Sequence, residues 1–382
     1  MLRVWNLSLV VATFALTILG TFLTRSGVLD SVHAFSTSSV GPWLLAFFGL
    51  VVIVSIGLIG WRGDGLRSPG SIDSPWSREG AFLGNNVLFG AFAFVVLLGT
   101  VFPLVVEAVN GDRISVGRPY FESMTTPIAI CVLFLMAVAP ALPWRRASGQ
   151  MLSDRLHWPA WAGTTSVVCA VILGLRGWAP VVAVGLGGFA AGAAVRQLLL
   201  AMRRQGWRGV VGRANGGMIV HLGVVIVAVA IAVNQSTSVR QEVRLRPGES
   251  ASVGGHRIRF EGLERQRHAN RTAVVGRVRV DGGRVYAPAI SNYPFATQGI
   301  GTPSVKTGLV EDVYLTLVSA PAEEGRAVTI GVTVQRMAVW LWIGGGVMAL
   351  GTLLAAVPTR RSRRPTQPAS ASTAPDVEVA MP

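Results

Sequence analysis

The chain has 382 residues, of which 51% are hydrophobic and only 14% charged, and its mean hydropathy is +0.51; soluble domains carry about 25% charged residues. That deficit excludes an ordinary soluble globular protein and says that much of the chain faces lipid. The formal net charge is +15, with Lys306 the only lysine, but the arginines fall between apolar runs, where basic residues orient membrane spans, so the basic balance does not point to nucleic acid.

The first apolar run, Trp5 to Phe22, is too long for a secretory h-region and lacks a small-residue cleavage site, which predicts a true span and not a cleaved leader. Crossing the hydrocarbon layer as a helix takes about 20 residues. Eight runs fit: 5–23, 43–60, 84–106, 127–143, 159–175, 178–200, 216–234 and 338–357. With the N-terminus placed in the cytoplasm, fourteen arginines, from Arg62 to Arg364, fall on the cytoplasmic side. The short loops on the other side hold only Arg25, Arg113, Arg118 and Arg176. This asymmetry predicts eight spans with both termini cytoplasmic. Trp43, Trp61, Trp144, Trp158, Trp178 and Trp340 stand near run ends, where amphipathic rings form the interfacial belt.

Residues 235–337 break the pattern. Apolar and polar residues alternate there, as in His256-Arg257-Ile258-Arg259-Phe260 and again over Ala273 to Val280, and Asp281-Gly282-Gly283 follows as a hairpin turn. This predicts a small all-β domain on the extracytoplasmic side. The expected organisation is seven spans over 1–234, the β domain over 235–337, a last span over 338–357, and a cytoplasmic tail, 358–382, whose Pro, Ala, Ser and Thr content predicts disorder. The fold class is an α-helical polytopic membrane protein of about eight transmembrane helices with one extracytoplasmic β domain.

Few residues carry chemistry. Cys131 and Cys169 sit far apart inside apolar runs and read as membrane thiols, not as a disulfide or zinc pair. Gly185-Leu186-Gly187-Gly188 reads as close helix packing. There are five histidines. His221, in Gly216-Gly217-Met218-Ile219-Val220-His221-Leu222-Gly223, lies at membrane depth, where an ionisable side chain is costly and marks function. Neutral imidazole is also a common heme ligand, and the flanking glycines remove bulk that a flat macrocycle would meet. Two readings stand: iron ligand, or a histidine hydrogen-bonded to a neighbouring helix. His33 lies just beyond the first span, near Leu29 and Phe35, with Arg25 available to an anionic group; it is either a ligand or an interfacial loop residue. His157, beside Trp158, reads as a belt residue, and His256 and His268 as part of a solvated face.

The stretch Trp5-Asn6, Leu16 to Val28 and Ser31-Val32-His33-Ala34-Phe35 resembles the CcmF family. So do Ser77-Arg78-Glu79-Gly80, Asn85-Asn86, Leu98-Gly99-Thr100, Pro103-Leu104, Ile114-Ser115-Val116-Gly117 and Pro119-Tyr120-Phe121, and the span around His221-Leu222-Gly223. The likeness continues over Ile330 to Arg336 and Trp342 to Gly351. It implies an inner-membrane protein of cytochrome c maturation, a heme lyase component. Such a component accepts heme from a CcmE-type heme chaperone and, with a CcmH-type thiol protein, joins it to the CxxCH thiols of an apocytochrome c. The resemblance matches His33 to an outer-face ligand of heme in transit and His221 to a membrane ligand of a resident heme b, with Arg25 a propionate partner. The family's WWD segment and the other histidine of each pair lie upstream of the region present here, so the chain offers one ligand to each heme. That leaves a naturally split lyase with a separate N-terminal CcmF half, a truncated gene model, or a degenerate paralogue. From other function classes, a transport permease subunit and a non-catalytic assembly scaffold explain the topology too, but a permease does not explain the Leu19 to Phe35 block.

Overall fold

The computed structural model describes residues 3–26, 28, 39–66, 74–143, 149–294, 299–320 and 327–357. His33 with its neighbours Leu29 and Phe35, and the tail 358–382, lie outside them. Among the described residues eight α-helices form: α1 Arg3–Arg25, α2 Gly41–Leu66, α3 Arg78–Asn110, α4 Arg118–Val138, α5 Gly149–Ile172, α6 Trp178–Gln205, α7 Arg213–Thr237 and α8 Ala338–Ala356. Seven are long and apolar enough to cross a bilayer; α5 is the exception. Its first half carries Asp154, Arg155 and His157, and Gly163-Thr164-Thr165-Ser166 dilutes the rest. Several helices outrun the apolar runs that announced them, α4 by nine residues at its start. Pro119 takes the first turn there, where its missing N–H costs nothing, and Arg118 and Glu122 extend the helix into polar surroundings. Within α1 the hydroxyls of Thr13, Thr17 and Thr21 each donate to the carbonyl four residues back, at 2.8–2.9 Å, which satisfies them inside an apolar span.

Helix α6 is the hub, packed against α4, α5 and α7, while α7 pairs with α8 and α1 with α2. Close approach comes from missing side chains. A Cβ on Gly163 would lie 2.9 Å from the Gly185 carbonyl oxygen, and one on Gly188 would lie 2.2 Å from the Ser166 hydroxyl, so α5 runs antiparallel along α6 in near backbone contact. Gly187 likewise receives Val229 of α7. The glycine cluster of α6 is therefore a packing device, as the sequence suggested.

One end of the bundle is tied by arginines. Arg78 donates from Nε to the Leu142 carbonyl (2.7 Å) and from a terminal nitrogen to that of Pro140 (2.8 Å), and Arg155 donates to the Ala141 carbonyl (3.0 Å). These carbonyls belong to the turn that follows α4, where unpaired backbone oxygens attract cations. The buried Ser77 caps α3 by accepting from the Gly80 amide.

After α7 the chain enters ten antiparallel strands: β1 Val239–Leu245, β2 Ser250–Val253, β3 His256–His268, β4 Arg271–Val280, β5 Val285–Tyr286, β6 Ala289–Asn292, β7 Ile300–Thr302, β8 Ser304–Lys306, β9 Glu311–Ser319 and β10 Val328–Arg336. They make two sheets, one ordered β1-β10-β9-β8 and the other β2-β3-β4-β6-β7, with β5 paired to β4. The inner faces enclose fully buried Ile258, Phe260, Val278, Leu315, Val328, Ile330 and Val332. The predicted turn is present: Asp281 and Gly282 both adopt positive φ (52° and 71°), the geometry that matches strand twist in a tight hairpin. The sandwich is seated on α7 and α8 by three hydrogen bonds. Asn234 donates to the Arg336 carbonyl (2.8 Å), the Met337 amide to that of Val310 (2.8 Å), and the Trp340 indole to that of Leu309 (2.9 Å).

Candidate functional site

His221 lies on α7, about 12 Å along the axis from Arg213 at 1.5 Å per residue. Its side chain is half-buried, and neither ring nitrogen has a hydrogen-bond partner among the described residues. The reading as a histidine hydrogen-bonded to a neighbouring helix thus finds no partner among the described residues. The flanking glycines divide their work. Gly216 and Gly223 face α8: an added Cβ would meet the Ala355 amide nitrogen at 2.4 Å and the Gly344 carbonyl oxygen at 2.7 Å. Gly351 and Gly344 return the contact, against the Val220 amide and the Gly223 carbonyl. These two glycines hold helices together and leave no space for a macrocycle, which corrects the reason first given for them. Gly217 differs. It stands one turn before His221 on the same helix face, with nothing within 4 Å of the position its Cβ would take. The face of α7 that carries the free imidazole thus has one open glycine step beside it.

The other predicted residues are dispersed. Arg25 ends α1 and is exposed, and α1 packs on α2, not on α7. His157 is bracketed by Trp158 and Trp161 and accepts from the Trp161 indole at 3.3 Å. His268 is exposed.

His256 overturns the solvated-face expectation. Its side chain is only 12% exposed, with Nδ1 2.7 Å from an Asp281 carboxylate oxygen and Nε2 3.0 Å from one of Glu311. Asp281 also accepts from Lys306 (2.7 Å) and from the Arg257 amide (2.9 Å). Burial alone would raise the Asp281 carboxyl, but Lys306, His256 and the Arg257 amide together hold it well below the usual carboxylate range. The cluster joins β3 of one sheet to β8 and β9 of the other. Its two carboxylates are 25 and 55 residues from His256 in sequence, and no local pattern announces such a pairing.

Two of the quoted sequence blocks meet in space. Gly99 on α3 leaves room for the edge-to-face rings of Tyr120 and Phe121 on α4, which an added Cβ would meet at 2.6 and 2.8 Å, and the Tyr120 hydroxyl donates to the Val95 carbonyl (3.1 Å). A cavity of about 530 Å³ opens between α4, α6 and α7 at the sandwich end of the bundle. Its floor is the cluster of Ala137, Ala190 and Val225, and His221 lies one turn beyond that floor. Among the described residues no group of three or more His, Cys, Asp or Glu is arranged to hold a metal ion.

The profile of the CcmF C-terminal beta-sandwich matches residues 236–336, the segment folded as β1 to β10. Over 367 residues the chain is 32% identical to the cytochrome c-type biogenesis protein CcmF of Pseudomonas aeruginosa, covering 93% of this chain and 55% of that one. Over nearly its whole length the chain is thus similar to CcmF proteins. The CcmF of Escherichia coli K12 is 32% identical over 371 residues, and CycK of Rhizobium meliloti 30% over 373. A solved structure, cytochrome c heme lyase CcmF, superimposes with a TM-score of 0.74 at 30% identity, covering 93% of this chain and 55% of that one. The chain spans about half the length of the CcmF proteins it matches. The fold expected from sequence, apolar helices with one β domain, is the fold of this family, and the chain is a multi-span membrane protein.

Proposed function

We propose that this chain is a heme lyase component of the cytochrome c maturation machinery of the inner membrane, acting with a further polypeptide that supplies the remaining heme ligands. His221 would hold a resident heme b through its iron, His33 would hold heme in transit, and Arg25 would pair with a propionate of the latter. The observation that carries the reading is the His221 imidazole: inside an apolar helix, without a hydrogen-bond partner among the described residues, with Gly217 open beside it on the same face. A neutral imidazole presents a lone pair to iron, and a flat group can approach the helix where no side chain stands. The donor set fits the group from this chain's side. The resident heme supplies a one-electron redox centre when bound.

The chain's own part is positioning. Helix α7 fixes His221 in depth through its glycine seam with α8, and the same two helices carry the sandwich. The proposed substrates take their support from the relatives' names: these proteins are termed cytochrome c-type biogenesis proteins and a cytochrome c heme lyase. For this chain the proposed partners are a CcmE-type heme chaperone, a CcmH-type thiol protein, an apocytochrome c and a separate N-terminal CcmF half. The thiol S–H of the apocytochrome adds across a heme vinyl group, with the macrocycle held still. In this proposal the sandwich lies on the periplasmic side and both termini lie in the cytoplasm.

The test is to co-produce the chain with a polypeptide carrying the WWD segment and record the membrane absorption spectrum and the yield of cytochrome c. His221→Ala is expected to abolish the b-type heme signal, and His33→Ala to lower cytochrome c yield at least tenfold while leaving that signal in place. Full heme content and full yield in the double variant would overturn the proposal.

A further inference from the structure

The cavity at the sandwich end of the bundle has two chemically distinct parts. Its rim is polar: Arg118 and Glu122 of α4, with Gln235 and Ser236 of α7. Arg118 pairs with Glu122 and donates to the Gln235 side chain (2.5 Å), so the rim spans α4 and α7 directly beneath the sandwich. Arg118 and Glu122 are both largely exposed. Below the rim the lining turns small and apolar, with Ala129 and Leu133 on α4, Ala183 on α6, and Ala228 and Ala232 on α7. From Thr125 to Leu133 the apolar part runs about 12 Å along α4 at 1.5 Å per residue. That is close to half of the roughly 30 Å hydrocarbon core of a bilayer. The Ala137, Ala190 and Val225 cluster closes the bottom and separates the cavity from His221.

An apolar shaft one leaflet deep, capped at the water interface by adjacent positive, negative and amide groups, matches the dimensions and polarity of one chain of a membrane lipid. Its volume of about 530 Å³ falls within the roughly 300–1,000 Å³ of ligand pockets. We propose that this cavity is a structural phospholipid site: one acyl chain fills the shaft and the phosphate is held at Arg118. A lipid there bridges α4 and α7, which touch little elsewhere, at the level where the sandwich is seated. The guanidinium suits the phosphate because its fork of donors takes two oxygens at once. The mixed charge of the rim suits a zwitterionic headgroup, whose ammonium faces Glu122.

The site is independent of heme binding, and so is its test. The full chain, with any partner polypeptide needed for its accumulation, is purified in mild detergent and reloaded with phosphatidylethanolamine carrying a diazirine near the middle of one acyl chain. Photolysis is expected to label α4 over 129–133 and α7 over 228–232 in preference to the bare face of α2. Ala232→Phe fills the shaft and is expected to lower that labelling at least fivefold. Arg118→Gln removes the charge but keeps a polar side chain and is expected to lower it about threefold, with unchanged hydrogen exchange over β9 and β10 reporting an intact sandwich. Labelling spread evenly over all lipid-facing helices, labelling undiminished in Ala232→Phe, or a co-purified occupant lacking phosphate, whether a protein segment or an apolar cofactor, would each overturn the proposal.

Discussion

In the sandwich the fully buried side chains are large: Phe260, Ile258, Leu315, Ile330 and a set of valines. In the bundle they are small: Ala137 and Ala230 are fully buried, Ala190 and Ala194 nearly so, and the closest approaches are made at glycines. Both regions are equally apolar at their centres, but their surroundings differ. Water drives large apolar side chains inward, because burying each removes area from a solvent that excludes it. Lipid offers no such drive, so helices associate by close backbone contact, which small residues permit. Large apolar side chains on the bundle, such as Trp43, Ile53 and Phe94, accordingly face outward. Deleting atoms should therefore damage the sandwich, and adding atoms should damage the bundle.

The largest effect is expected from Phe260→Ala. This ring is fully buried between the two sheets, and losing it removes transfer free energy and leaves a cavity, costing about 3–5 kcal/mol. Hydrogen exchange over β9 and β10 in the full chain measures it. A loss under about 1 kcal/mol, the scale of a volume-conserving swap, would break the contrast.

The adjacent glycines of α7 give the matching experiment in the bundle. Gly216→Leu drives a side chain into the backbone of α8 at Ala355 and should cost about 1–3 kcal/mol, read as a lower midpoint of thermal aggregation in detergent. Gly217→Leu meets open space and should leave that midpoint nearly unchanged. Under the proposed function it should still displace heme, because it fills the step beside His221. Equal thermal loss in both variants would mean that α7 and α8 do not pack through Gly216.

How much of this was legible beforehand follows from the same physics. The spans were readable because lipid demands long apolar runs, and the sandwich because alternation has a period of two. The ends of α4 and α5 were not, since a helix continues into the interface on hydrogen bonds that hydropathy does not see. His221 was legible as a candidate because an imidazole stands out in an apolar run. The division of labour between Gly216 and Gly217 was not, because it depends on which face meets α8, more than 120 residues away. His256 was misread for the same reason: its carboxylate partners come from another hairpin and another sheet.

That misreading supplies the smallest and most pH-dependent effect. Asp281 is held below the usual carboxylate range in the folded state by Lys306, His256 and the Arg257 amide, against a burial effect that pushes the other way. A carboxylate depressed on folding adds stability that is present above its unfolded pKa, about 3.9, and is lost as pH falls through its lower folded value. The sandwich should thus lose stability below about pH 4, and Asp281→Asn should flatten that acid limb. Asp281 is more than a third exposed, so solvent screens the pair with Lys306 and the contribution at neutral pH should be at most about 1 kcal/mol. A positive φ at Asp281 is no obstacle to asparagine, which tolerates that conformation as readily as aspartate, so the substitution isolates charge from backbone geometry. Hydrogen exchange over β3 and β4 at pH 3.5 and pH 6 separates the outcomes. If wild type and Asp281→Asn differ by the same amount at both values, the cluster acts through shape, and the link between its charges and the union of the two sheets is wrong.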